Sequence, residues 1–221
     1  MNNKGKKANA AAIVAHPDDE TLWGGGTILM HPQYEWTITT LCRASDSERA
    51  SKFTQAVKKY SAVGQMADMN DGPEQLPLSK TDVEETVLSL ISKFKFDLVI
   101  THSPFGEYTR HRRHEETGRA VLQLWQEGRL STVEMWFFAY EDGNNSYLPR
   151  PIDSAHKILE LPEDIWQQKY RIITEVYGFE SDSFEARLAG RKEAFWCFKS
   201  ADQANEHFFC GGLKNESAGV V

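Results

Sequence analysis

Apolar and polar positions alternate along this chain in short blocks. Ala10-Ala11-Ala12-Ile13-Val14 is a continuous apolar run, the pattern of a short strand covered on both faces. Leu22 to Met30 predicts a helix interrupted by Gly24-Gly25-Gly26. Each glycine inside a helix costs about 1 kcal/mol relative to alanine, so three together mark a close backbone approach. Trp36 to Cys42 is β-branched and predicts a second strand. Asp46 or Ser47 caps a helix predicted over Glu48 to Met66, with Phe53, Val57, Tyr60 and Val63 on one stripe.

Asn70-Asp71-Gly72-Pro73 is turn chemistry. Thr81 is placed to cap a helix carrying Val83, Val87, Leu90, Ile91 and Phe94 at helical spacing. Asp97 to Thr101 reads as another covered strand, followed by a polar loop from His102 to His111 and a helix from Arg113 to Glu127. Val133 to Tyr140 and Lys157 to Leu161 predict further strands, and Glu163 to Tyr177 and Ser183 to Phe198 predict late helices.

Strands alternating with helices of this length predict an α/β fold, Rossmann-like, with a mostly parallel sheet and helices on both faces. In such sheets ligands lie at the carboxyl ends of strands where the strand order reverses. The site is expected at the carboxyl ends of strands 1 and 4, the latter being Asp97 to Thr101. One domain is expected over residues 9–210, between a disordered N-terminal arm (1–8) and a flexible tail (211–221).

Composition narrows the choices little. The chain has 221 residues, 40% apolar and 26% charged, which is ordinary for a globular protein. A net charge of -7 argues against a nucleic-acid binder, which needs a basic face. Three widely spaced cysteines, Cys42, Cys197 and Cys210, suggest no disulfide framework and fit a reducing compartment. The lysine-bearing start lacks an apolar signal segment, and no stretch approaches the roughly 20 apolar residues of a membrane span. A cytoplasmic protein is expected, with a homo-oligomer compatible.

The chemistry concentrates in two motifs. Ala15-His16-Pro17-Asp18-Asp19-Glu20 follows the first strand directly. His16 and Asp19, three residues apart, can converge on an ion if the segment turns into a helix, and nitrogen with carboxylate oxygen suits zinc or a related metal. Asp18 is then placed for proton chemistry beside it. An acidic helix start, favoured by the helix dipole, is the competing explanation for these carboxylates. The second motif is Thr109-Arg110-His111-Arg112-Arg113-His114. Its histidines share a helix face, so one can ligate while the other faces the site. Taking His16, Asp19 and His114 as ligands leaves open positions, the pattern of a catalytic metal. With Asp18 as base and a protonated His111 as oxyanion partner, the parts specify metal-dependent hydrolysis of an amide or ester. Trp23, just past the first motif, is a candidate pocket wall, and Glu107 and Tyr108 are candidate substrate contacts. His31, His102, His156 and His207 carry no partner signature, although His102 ends a strand near the site.

Ala-His-Pro-Asp-Asp-Glu after a short strand and before a glycine-rich helix resembles the zinc-dependent de-N-acetylases of the PIG-L, or LmbE-like, family. The Asp97–Thr101 strand and the later His-x-x-His extend the resemblance over roughly residues 10–140. It implies zinc on His16, Asp19 and His114, Asp18 as general base and acid, His111 at the oxyanion, and an N-acyl amino-sugar substrate. Two departures bear on that substrate. His111-Arg112-Arg113-His114 stands where the family has His-Pro-Asp-His, and Cys42-Arg43-Ala44-Ser45-Asp46 stands where it has Thr-x-Gly-Glu. Arg43 and Arg112 therefore hint at an anionic substrate, since arginine forks suit phosphate and carboxylate. The family's pocket tyrosine falls near Tyr108. A noncatalytic binding module for an anionic metabolite, or the same hydrolysis of a non-sugar amide or ester, are the alternatives.

Overall fold

The computed structural model describes residues 8–91, 93, 95–109 and 111–210. The expected arm and tail thus lie outside the described residues, apart from Ala8, which opens the first strand; Phe94 and Arg110 lie outside as well. The chain runs β1 (Ala8–Val14), α1 (Asp19–Met30), β2 (Tyr34–Cys42), α2 (Ser47–Lys59), β3 (Val63–Met69), α3 (Lys80–Leu90), β4 (Lys95–Thr101), α4 (Arg112–Gln126) and β5 (Ser131–Phe138). A small ribbon follows, β6 (Tyr140–Glu141) with β7 (Arg150–Pro151), and then β8 (Lys157–Glu160). Next come α5 (Glu163–Arg171), which continues as a π turn over Ile172–Val176, α6 (Phe184–Leu188) and β9 (Lys192–Phe198). Last is α7 (Ala201–Asn205), again continued by a π turn, Glu206–Cys210.

The main sheet has seven strands in the order β3-β2-β1-β4-β5-β9-β8. The first five are parallel, and β9 runs against both of its neighbours. The order reverses between β1 and β4, which pair from Ala10 with Leu98 to Ile13 with Thr101. Two bonds close the top of that seam: Thr101 Oγ1 donates to the Ile13 carbonyl at 2.8 Å, and Ala15 N–H points at His102 Nε2 at 3.0 Å. β1 is fully buried from Ala10 to Val14, and its alanines let helices lie close on both faces.

Four elements differ from the sequence pattern. The helix predicted to Met66 ends at Lys59, Ser61 turns through a left-handed φ of 53°, and Val63 begins an edge strand, β3. Val63 is 59% exposed there, so it never joined the helical stripe. α1 is uninterrupted despite its three glycines. A β-carbon at Gly24 would lie 2.9 Å from Ile100 Cδ1, and one at Gly26 would lie 2.4 Å from both Leu161 methyls. The expected close approach is real, and the contacts it allows offset the helix-propensity cost. Ser79, not Thr81, stands at the N-cap of α3. The helix predicted over Ser183–Phe198 is a short helix and then β9, whose Phe195, Trp196 and Phe198 suit a buried strand.

β9 also carries a buried acid. Glu193 accepts the amides of Gly26 and Thr27, the Thr27 hydroxyl and the Lys169 ammonium, all at 2.7 to 2.8 Å. It ties α1, whose first turn carries the site, to α5 and the sheet.

Candidate metal centre

The turn after β1 is built by its own side chains. His16 N–H donates to Asp19 Oδ2 at 2.8 Å, which folds the carboxylate back under the histidine. Asp18 precedes the helix at φ 114°, a left-handed conformation costly for a residue with a β-carbon. Glu20, fully buried, holds it there: Glu20 Oε2 accepts the Asp18 amide at 3.1 Å. Glu20 Oε1 accepts the hydroxyls of Thr21 at 2.6 Å and Tyr177 at 2.7 Å. The acidic helix start is therefore a wired array and not a solvated end.

Burial pushes the Asp18 carboxyl well above its ordinary range, and the neighbouring Asp19 charge adds to this. Arg49, with Nη1 3.1 Å from Asp18 Oδ2, pulls it back down. Burial alone would raise Asp19 too, but the His114 and His102 rings outweigh it and hold Asp19 well below the carboxylate range.

The second half of the site comes from β4 and α4. Gly118 lets α4 press on the end of β4, where a β-carbon would stand 2.5 Å from the carbonyl oxygens of His102 and Ser103. His102 and His114 stack with ring centroids 3.9 Å apart. Glu107, fully buried, serves both rings, with Oε2 at 2.8 Å from His102 Nδ1 and 2.7 Å from His114 Nδ1. Burial would raise Glu107, but His102 and His114 bring it down to about 2. It is neither a substrate contact nor a solvated residue. Its carboxylate fixes His114 with Nδ1 toward the protein and Nε2 toward the crevice. His102 feels opposing demands. The Glu107 and Asp19 charges outweigh burial and lift it to about 9, whereas the Ala15 amide aimed at Nε2 favours a bare lone pair there.

These contacts bring the expected ligands together through Asp19. Oδ2 lies 3.1 Å from His16 Nδ1 and Oδ1 lies 3.2 Å from His114 Nε2. Trp23 Nε1 donates to Oδ1 at 3.2 Å. Donor atoms of His16, His111 and His114 lie within 4.8 Å of one another, as do those of Asp19, His102 and His114. His16 Nε2, His111 Nδ1 and His114 Nε2 are all buried without a hydrogen-bond partner. His16 Nε2 is turned to Asp71, whereas its Nδ1 faces Asp19 and shares one space with the unpartnered His111 and His114 nitrogens. That donor set fits a divalent transition-metal ion.

His111 departs from expectation in one respect. Burial pushes its ring down to about 3, with the His114 and His16 charges adding, so it stands neutral and not protonated.

A cavity of about 190 Å³ opens over the site. His16, Asp18, Asp19, His111, His114, Trp23, Tyr108 and Arg43 all line it, joined by Arg49, Asp71 and Phe184. Arg43 is not free: Nη2 and Nε hold Asp71 Oδ2 at 2.6 and 2.9 Å. Arg112 lines a separate groove of about 1150 Å³ between the 73–80 segment, α4 and the Glu206–Cys210 turn. The sequence marked His102 only as ending a strand near the site, without a role, and assigned Arg49 and Asp71 none. The position of His102 directly after a covered strand was a usable signal; Arg49 and Asp71 carry none that distinguishes them from a helix start and a turn.

A family model described as PIG-L, GlcNAc-PI de-N-acetylase, matches residues 11–125. The chain belongs to this family of de-N-acetylases. Solved structures share the fold at low identity. N,N'-diacetylchitobiose deacetylase from Pyrococcus horikoshii is 16% identical, with a TM-score of 0.64, over 94% of this chain and 88% of that one. A deacetylase of the teicoplanin biosynthetic pathway is 17% identical, with a TM-score of 0.62, over 88% and 99%. GalB, the 4-carboxy-2-hydroxymuconate hydratase of Pseudomonas putida KT2440, is 14% identical, with a TM-score of 0.58, over 82% of each chain. The same fold thus carries a hydratase as well as deacetylases. No curated protein matches the chain in sequence.

Proposed function

We propose that this chain is a zinc-dependent N-deacetylase that removes an acyl group, acetyl in the first instance, from the nitrogen of an amino-sugar-type substrate. The observation that carries this reading is the orphaned His114 Nε2, 3.2 Å from Asp19 Oδ1, with the Asp18 carboxyl in the same small cavity. His16, Asp19 and His114 would hold the ion. When bound, it supplies Lewis acidity, making water nucleophilic near neutral pH and polarising a carbonyl.

The chain's own residues supply the proton chemistry. Asp18 takes a proton from water as the water oxygen bonds to the acyl carbon. It then passes that proton to the amide nitrogen as the carbon–nitrogen bond breaks, releasing an amine and a carboxylic acid. Arg49 favours the ionised form in which Asp18 can begin, and burial strengthens the proton's hold once taken. His111, neutral, offers one ring N–H toward the oxyanion. Trp23, Tyr108 and Phe184 wall the cavity with aromatic faces suited to a sugar ring.

An anionic substrate has less support than the sequence suggested. Arg43 is paired with Asp71, and Arg112 lines the other groove. A neutral N-acyl amino sugar is the preferred substrate. No helix among the described residues is long and apolar enough to cross a membrane. The cysteines are free, which supports a cytoplasmic setting.

The test is metal content together with amine release from a panel of N-acetyl sugars, with and without phosphate. Asp18→Asn is expected to keep the metal and lose about 10²- to 10⁴-fold in turnover. A chain that takes up no divalent ion, or a loaded chain that releases no amine from any member, overturns the reading. Stabilisation by an anionic metabolite that persists with a chelator would favour the binding-module alternative.

A further inference from the structure

Arg113 stands where physics disfavours it. It is the second residue of α4, at the positive end of the helix dipole, and it is only 2% exposed. A buried cation there persists only if its donors are met, and they are. Nε donates to the Asn70 carbonyl and Nη2 to the Leu76 carbonyl, both at 2.7 Å. Nη1 pairs with Glu116, whose other oxygen accepts the Leu78 amide at 3.0 Å. One guanidinium therefore closes both ends of the 70–76 segment onto the helix that carries His114.

That segment presents Asp71 to the site. Gln75 Nε2 donates to Asp71 Oδ1 at 2.8 Å, and Arg43 holds Oδ2. Asp71 Oδ1 then lies 3.2 Å from His16 Nε2, a nitrogen with no regular hydrogen bond. Cys42 is the third donor in this small cluster. The opposite ring nitrogen, Nδ1, faces Asp19. His16 is thus flanked by carboxylates on both nitrogens, as His114 has Glu107 behind it.

We infer that Arg113 is a positioning residue for the metal centre: it clamps the 70–76 segment so that Asp71 fixes the ring of His16. This rests on the metal reading above. An outer carboxylate orients a ligating imidazole and raises its basicity. A turn built of Asn70-Asp71-Gly72-Pro73 has little of its own to hold a carboxylate in register, so the clamp supplies what the loop lacks. Lysine cannot substitute, because its single ammonium cannot reach two carbonyls and a carboxylate in the directions a planar fork does.

The experiment is chelator-competition titration of zinc with the full chain, comparing wild type, R113K, D71N and the double variant, with thermal midpoints of the metal-free forms alongside. R113K and D71N should each weaken zinc binding about 10- to 100-fold. In the D71N background, R113K should cost no further affinity, because the arginine acts through Asp71. A purely structural arginine would instead lower the metal-free midpoint and weaken binding equally in both backgrounds. Wild-type affinity in R113K, effects that multiply in the double variant, or wild-type affinity in D71N (a substitution outside the arginine's burial site) would each overturn the inference while leaving the metal reading standing. A wild-type chain that takes up no zinc overturns both.

Discussion

Glu20→Gln is the most informative single perturbation of the wiring beneath the site. Glu20 is fully buried and accepts three hydrogen bonds, from Tyr177, Thr21 and the Asp18 amide. Burial still raises its carboxyl from 4.5 to about 7, since the donors only partly offset the lost hydration and Asp19 adds repulsion. The folded state therefore keeps a proton between 4.5 and about 7 that the unfolded chain has released. Where the folded state binds more protons, stability falls as pH rises. At about 1.4 kcal/mol for each pH unit, ionising Glu20 costs the fold about 3 kcal/mol, fully felt above neutral pH. Glutamine carries no charge at any pH. Its carbonyl can take the Asp18 amide, while its NH₂ faces two hydroxyls that can turn to accept. Urea unfolding of metal-free wild type and variant, from pH 4.5 to 8, is the assay. The gap between them should move by about 3 kcal/mol in the variant's favour, or roughly 6–12 °C in midpoint for a chain this size. Parallel stability curves would refute the reasoning. Tyr177→Phe should push the wild-type window upward, because it removes a donor that favours the ionised form.

Three further outcomes are expected. Lys169→Met strands the buried Glu193 charge and should cost about 3–5 kcal/mol in chemical denaturation; a loss below about 1 kcal/mol would contradict the buried pair. Gly26→Ala should gain about 1 kcal/mol of helix propensity. It should lose about 2–3 kcal/mol, the upper part of the overpacking range, to the clash with Leu161 and Glu193, for a net destabilisation of about 1–2 kcal/mol; an unchanged urea midpoint would show that Leu161 moves aside freely. Arg49→Met removes the positive charge that holds Asp18 down, so the acid limb of the kcat/KM profile should move to higher pH, with activity falling more at pH 6 than at pH 8. A limb that stays in place counts against Asp18 as the base.

Much of the fold was legible because its signals are local. The apolar run of β1, the β-branched β2, the cap at Asp46 and the Val83, Val87 and Leu90 stripe on α3 each arise from neighbours within one or two turns. Edge and inserted strands were harder. β3 is an edge strand with no fully buried position, so little in its own residues separates it from the end of α2. β9 is a strand because β5 and β8 stand on either side of it, and its aromatic residues would also have served a buried helix.

The site divides along the same line. The sequence by itself determined the chemistry, because a histidine and two aspartates at a strand's end, with a later His-x-x-His, can be read from residue type and spacing. Only the tertiary structure decided how each group is held and charged. Glu107 became the support of two histidines, Arg113 a clamp, Arg43 a partner of Asp71, and His111 a neutral ring. Those roles depend on what faces each side chain across the crevice and on how little water reaches it. Both are set when β1 and β4 close side by side, and neither is encoded within any short stretch of chain.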